Sequence, residues 1–347
     1  MSLKSMFRFA LAAVALGAGP AALSQQAIPI RIGASPASDH VAAFAGVERG
    51  IFARHGLDAK VQLYPTGVEM INGLLNGAHD INVMASVPFL SGVSLGQPLV
   101  LIGHNQGDPL ATSYQAYASV VSTSGAGLKE GDVKALAGKK IGLPRGTSAE
   151  SYLLGVLAQS GVKVSDVTIV NIAPGNVVAA LRQGDVQAIS IWEPMASTAV
   201  LRIPGALRVV SGGCEGCYDP GTLLTTKANV ANKAEALRRF VVAYAEAQQW
   251  VRQNFDAAAE IDTRWIPGVD LDIMKVAVRR AGYDLRITRQ TLVGYKTKTI
   301  PMLVADKRLS APLDPAPFID PQFSQYAERT APQFFSDLPP IPPALRY

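Results

Sequence analysis

Two stretches of the chain are variations on one plan, and this internal repeat constrains the fold more than any other feature. The first begins at Ile28 (IPIRIGASPAS), continues as a helical segment to Phe52–Gly56, and enters a strand at Ala59–Leu63. The second begins at Lys139 (KKIGLPRGTSAE), runs as a helix to Gly161, and enters a strand at Val167–Asn171. Each is a strand, a small-residue turn, a helix and a second strand, the βαβ unit of a parallel sheet. The likeness continues downstream, where each copy has a proline, a short amphipathic helix and a closing glycine. Copy one reads PTGVEMINGLLNGAHDINVMASVP from Pro65 to Pro88, and copy two PGNVVAALRQGDVQAISIWEP from Pro174 to Pro194. Thr66 and Glu69 form a capping-box pattern, and Gly77 and Gly184 suit the position just past a helix end. Ile81–Ala85 and Ala188–Trp192 are short apolar runs of the kind found in buried parallel strands.

One doubly wound sheet could absorb all four units, but two lone strands argue for two lobes. Ala118–Ser122 precedes a Ser/Gly-rich connection, and Leu207–Ser211 leads into a turn-rich segment. Together they describe a chain that leaves lobe one, builds lobe two and returns. The expected fold is α/β and two-lobed, each lobe a mixed, mostly parallel sheet flanked by helices, with two crossover strands between them. Lobe one comprises residues 25–120 and 213–347, and lobe two residues 121–212. The return is a long helix, capped by Asn232 with Glu235, whose Leu237, Phe240, Val241, Tyr244 and Val251 share one face. A second helix is expected around Asp270–Ala281, and the Pro-rich stretch from Ala311 reads as an irregular surface tail.

Residues 1–24 read as a secretory leader: Lys4 and Arg8 precede an apolar run to about Ala18, and small residues lead to a cleavage site near Ser24–Gln25. That run is too short to span a bilayer. No cysteine at the cleavage point offers a lipid anchor. The formal charge of +5, two units of it in the leader, is too mild and too scattered to argue for nucleic acid. A chain of this length exceeds what one core serves, and 48% hydrophobic residues supply two.

Ligands of open α/β sheets sit beyond the carboxyl ends of the strands, near helix N-termini. That rule selects Ser35, Ser38, Asp39, Thr66, Ala85 and Ser86 in copy one. In copy two it selects Arg145, Gly146, Thr147, Ser148, Asn176, Trp192 and Glu193. The turn Arg145–Glu150 is the most specific, since glycine admits close backbone approach and free N–H groups at a helix start favour an anion. An ordinary N-cap uses the same N–H groups. Trp192 either walls in a ligand or belongs to the core, and Glu193 either accepts from a ligand or pairs across the lobes.

The string GKKIGLPRGTSAESYLLGVLAQSGVKVSDV, followed by ALRQGDVQAISIWEP, resembles the nitrate/sulfonate/taurine solute-binding proteins of ABC importers, grouped with the thiamine-pyrimidine-binding proteins. GVERGIFARHGLDAKV and the NGAHDI segment extend the likeness over nearly all of the mature chain. The resemblance implies a type II periplasmic-binding fold, closure on a small solute, and delivery to an ABC permease with its ATPase. It implies a periplasmic monomer of a Gram-negative bacterium, with no cofactor and no nucleic-acid partner. With the helix-start turns and Arg145 it points to an anionic, sulfonate-, nitrate- or carboxylate-like solute. One departure is Gln187, where the family usually has an acidic residue.

Enzyme alternatives find little support. Gly92–Gly96 matches GxSxG, but a nucleophile elbow needs a strand before its serine, and here a helix ends instead. His40, His55, His79 and His104 are scattered without ligand spacing, so no metal site is expected. Desulfinases of this fold use a cysteine in the N-terminal lobe, where this chain has none. Thiamine-pyrimidine synthases of the superfamily carry adjacent cysteines that are also missing. Cys214 and Cys217 form a CxxC followed by turn residues, which in an exported protein reads as a local disulfide.

Overall fold

The computed structural model describes residues 26–111, 117–212 and 214–347. The leader expected at residues 1–24 lies outside the described residues. Two five-stranded sheets organise the chain. The first contains β1 (Ile28–Ala34), β2 (Leu57–Leu63), β3 (Ile81–Ala85), β4 (Leu99–Gly103) and β10 (Gly221–Thr226). The second contains β5 (Ala118–Thr123), β6 (Lys140–Leu143), β7 (Thr168–Asn171), β8 (Ala188–Trp192) and β9 (Ala206–Ser211).

The strand orders, β2-β1-β3-β10-β4 and β7-β6-β8-β5-β9, are the same pattern written twice. Corresponding registers match as well: Ile32 pairs with Ile81 in the first sheet and Ile141 with Ala188 in the second. In each sheet the antiparallel fourth strand is the first one formed after the chain crosses over. The two crossing strands expected at Ala118–Ser122 and Leu207–Ser211 pair with each other inside the second sheet. The chain leaves the first sheet after Gly103 and the second after Ser211.

Sequence explains most of these elements. β3 and β8 coincide with the two apolar runs and are buried along almost their whole length, as strands covered by helices on both faces must be. Gly77 and Gly184 take φ values of 71° and 79°, the left-handed conformation that ends a helix at little cost to glycine. On the long helix Ala234–Gln253, Leu237, Phe240, Val241, Tyr244 and Val251 are all buried. Phe240 stacks on Phe52 at 5.5 Å, tying that helix to the first βαβ unit.

Several local expectations change. The Thr66 hydroxyl donates to the Glu69 carboxylate itself, and no side chain caps the helix Gly67–Leu75. Asn232 ends a short helix, Lys227–Asn232, and the long helix starts without a side-chain cap; Glu235 instead accepts from Arg239 at 2.7 Å. Beyond the turn-rich segment that follows Leu207–Ser211, Gly221–Thr226 forms a buried interior strand that the sequence reading did not assign. The Pro-rich tail is not irregular throughout. It carries the helix Gln322–Thr330, which packs Phe323 and Ala327 into the core.

Candidate functional site

A cleft between the two sheets opens at the carboxyl ends of their parallel strands. From the first sheet it is lined by Ser35, Ala37, Asp39 and His40 after β1, by Thr66, Gly67 and Met70 after β2, and by Met84, Ala85 and Pro88 around the end of β3. The second sheet contributes Thr147 and Ser148 after β6 and Trp192 at the end of β8. Tyr117, which precedes β5, completes the wall. The cavity between them is about 40 Å³.

Of the residues expected here, Ser35, Asp39, Thr66, Ala85, Thr147, Ser148 and Trp192 line the cleft. The others are placed differently. Ser38 is fully buried behind Asp39, with its backbone N–H donating to the Glu193 carbonyl at 3.3 Å. The Ser86 hydroxyl donates to the Pro220 carbonyl at 2.5 Å and lies 2.7 Å from the Tyr295 hydroxyl. Asn176 is exposed in a short turn. Glu193 is completely buried, and its carboxylate pairs with Arg208 at 2.9 Å and Arg280 at 3.1 Å while accepting from the Ser197 N–H at 2.9 Å. Of the two readings open for Glu193, the geometry matches the one that pairs across the lobes.

The helix-start turn is satisfied from within. Glu150 accepts from the Gly146 N–H at 2.8 Å and draws in Arg145 at 3.7 Å and Arg308 at 3.4 Å. Thr147 caps the helix by accepting from the Ala149 N–H, and its own hydroxyl donates to the Pro144 carbonyl. The Arg145 side chain is 54% exposed. Gly146 and Arg308 face a neighbouring surface groove instead of the cleft.

Among the described residues, Asp39 is the one acidic residue on the lining, and none of them there is a lysine or arginine. Its carboxylate accepts a short hydrogen bond from the Tyr117 hydroxyl and one of 2.9 Å from the Asn105 amide. The Tyr117 hydroxyl also lies 3.1 Å from the Glu193 carbonyl, so it joins the two walls. His40 sits 3.7 Å from Asp39. Burial pushes the His40 ring below its ordinary range, against the pull of Asp39. His40 Nδ1 lies 3.0 Å from the Ser35 backbone nitrogen, 3.1 Å from its carbonyl and 3.3 Å from its hydroxyl.

Tyr117 escaped the sequence rule for a geometric reason. That rule looks just after parallel strands. β5 runs antiparallel, with Ala118 opposite Trp192, so its start lies level with its neighbours' ends. The residue before β5 therefore arrives in the cleft. Two residues before β10 stands Asp219, which caps the helix Ser86–Ser94 by accepting from the N–H groups of Ser86 at 2.9 Å and Val87 at 3.2 Å.

Burial raises the Asp219 carboxyl from an ordinary 3.8 to about 7, against the lowering effect of those two bonds. The unfolded chain gives up this proton near pH 4 and the folded chain only near pH 7. Between those limits the folded state binds more protons, so this group's contribution to stability falls as pH rises. Wild type measured against Asp219→Asn by urea unfolding is expected to lose its relative stability steadily from pH 4 to pH 7. A difference constant across that range would count against the raised value.

Residues 24–265 match the NMT1-like family. The chain belongs to that family. A relative in Brucella abortus, named as a binding protein, is 25% identical over 299 residues, covering 83% of this chain and 89% of its own. Another in Bacillus subtilis, named as an aliphatic sulfonates-binding protein, is 26% identical over 277 residues and covers 80% of each chain. Among solved structures, the periplasmic aliphatic sulphonate binding protein SsuA of Escherichia coli superposes with a TM-score of 0.72. That alignment covers 84% of this chain and 97% of SsuA at 18% identity. The desulfurization enzyme DSZB superposes with a TM-score of 0.65 at 17% identity, covering 87% of this chain and 99% of the enzyme. This NMT1-like chain therefore shares a scaffold used by both binding proteins and an enzyme.

The disulfide Cys214–Cys217 lies in the second passage between the sheets. It packs on Gly155 of the helix Ser148–Gln159. Among the described residues no helix is long and apolar enough to cross a membrane, and no group of acidic, histidine or cysteine side chains could hold a metal.

Proposed function

We propose that this protein is the solute-binding component of an ABC importer, working in the periplasm of a Gram-negative bacterium as a monomer after loss of its leader. The cleft carries this reading: residues from both sheets converge on one small space at the strand ends where α/β folds hold ligands. Its relatives are named as binding proteins. In this reading the lobes, bounded near residues 120 and 212, swing about segments 104–117 and 212–220 and close on the solute. The closed form then docks on a permease with its ATPase. The protein releases its solute chemically unchanged and acts on nothing else.

The test is capture from a metabolite extract, followed by denaturation and mass spectrometry of what is released. A single saturable solute, recovered intact, is the expected result, together with higher ATP hydrolysis by the reconstituted permease and ATPase when the loaded protein is added. Recovery of a converted product would replace the receptor reading with an enzymatic one.

A further inference from the structure

We propose that Arg308 is a positioning residue that latches the two walls of the cleft together, by reaching from the first sheet's side to Glu150 and Ser151 on the second. Its bearing on solute rests on the receptor reading above. The contact itself is made by the chain's own side chains and needs no bound molecule.

The two ends of this contact are anchored in different places. The helix Ile300–Ala305 buries Ile300 and Leu303, and the turn after it buries Leu309, in one cluster with Met84, Leu101 and Leu224 of the first sheet. Glu150 and Ser151 lie on the helix Ser148–Gln159, which the Ser190 hydroxyl of β8 ties to the second sheet by donating to the Ala149 carbonyl at 2.7 Å. Arg308 Nη1 spans the gap, 3.4 Å from the Glu150 carboxylate and 3.4 Å from the Ser151 hydroxyl. The pair stands beside the cleft, since Pro88 lines both the cleft and the groove that Arg308 faces. The backbone is bent to bring Arg308 there. Lys307 has a φ of 59°, and among the described residues it is the one non-glycine in the left-handed region. Gly77 and Gly184 take that conformation freely at their helix ends, whereas a lysine is strained by it. The strain falls on the residue that orients Arg308.

Burial separates this pair from the other ionic contacts between the returning chain and the second sheet's side. Arg202 is 38% exposed and its partners Asp270 and Asp272 are 65% and 63% exposed, so water screens that contact to little. Glu193 is completely buried, and its cluster is too costly to open. Arg308 and Glu150 fall between, at 16% and 6%. Their attraction outlasts screening, yet each has somewhere else to go. Glu150 keeps the Gly146 N–H and Arg145. Asp306, whose carboxyl is pushed up by burial and by the charge of Glu150 and drawn down by Arg308 and Arg145, offers Arg308 a partner on its own side. A contact that must both form and release is of this intermediate kind, and its opening sets how often the cleft admits or frees a solute.

The test is the distance between spin labels on the mature protein, read by pulsed electron resonance with no solute added. Labels at Lys60→Cys and Lys163→Cys occupy exposed positions, one on each side. The otherwise unchanged chain should show mainly the shorter distance, and Arg308→Met should shift the populations roughly five-fold toward a longer one. Glu150→Gln, which still accepts the Gly146 N–H, should do the same, and the double variant should go no further. Arg308→Lys keeps the charge and should recover part of the shift. A merely structural role would instead lower the urea midpoint and leave the distances alone. Should a variant fail to fold, high salt on the labelled, unsubstituted chain should lengthen the distance by screening the pair. Distances unmoved in folded Arg308→Met, or unmoved by salt where that variant does not fold, would overturn the latch, as would a long distance from the start. Failure to capture any solute from the metabolite extract would remove the receptor reading and leave these distances standing.

Discussion

Glu193→Ala is expected to cost about 3–5 kcal/mol of folding stability, the usual loss when one member of a buried ion cluster is removed. The Glu193 carboxylate is fully buried between Arg208 and Arg280, and it accepts the Ser197 N–H at the start of the helix Met195–Arg202. Burial and the nearby Arg208 already pull the Arg280 guanidinium below its ordinary value, with Glu193 opposing them. Without the carboxylate the two guanidinium groups face each other in a half-buried site. Arg280 follows the helix Leu271–Val278 of the returning chain, so the cluster also holds that segment against the second sheet. Glu193→Gln, which keeps the shape and one acceptor, should lose less than the alanine variant. Urea unfolding of both variants checks this, and a loss below about 1 kcal/mol in Glu193→Ala would place the cluster with ordinary exposed ion pairs.

Gly155→Val is expected to cost about 3 kcal/mol or more, because it overpacks a contact that cannot relax. A Cβ at Gly155 would lie 2.1 Å from the Cys217 sulfur and 2.8 Å from that of Cys214. Both sulfurs are buried, and the disulfide ties each to the other. A valine in the helix Ser148–Gln159 must therefore push the second passage away from the helix. The helix gain over glycine, a few tenths of a kcal/mol, does not offset this. Replacing both cysteines with alanine should recover part of the loss, so the two changes should be non-additive. Simple additivity in thermal unfolding would show that the clash lies elsewhere.

Much of this architecture could be read from the chain because the repeat is written in strong signals. Apolar runs became β3 and β8, closing glycines became helix ends, and the strand-end rule found Asp39, Thr147 and Trp192. What escaped depends on contacts distant in sequence. GTLLTT at Gly221–Thr226 alternates too weakly to read as a strand, and it is one because β3 and β4 leave a gap between them. Tyr117 enters the cleft only because β5 runs against its neighbours. Around Arg145 the turn has the composition of an anion site, and what the sequence does not reveal is that Glu150, five residues on, accepts the Gly146 N–H and lies 3.7 Å from Arg145.

The late arrival of β10 in the first sheet also sets the order in which the protein can be completed. All strands of the second sheet come from one continuous stretch, Ala118–Ser211, whereas the first sheet lacks an interior strand until Gly221–Thr226 has been delivered. A chain emerging amino terminus first across a membrane thus exposes β1–β4 early, with unpaired backbone along the edges of β3 and β4. Those edges are open to pairing with other chains until more than half the polypeptide has passed. The half that begins the molecule is the one that finishes last.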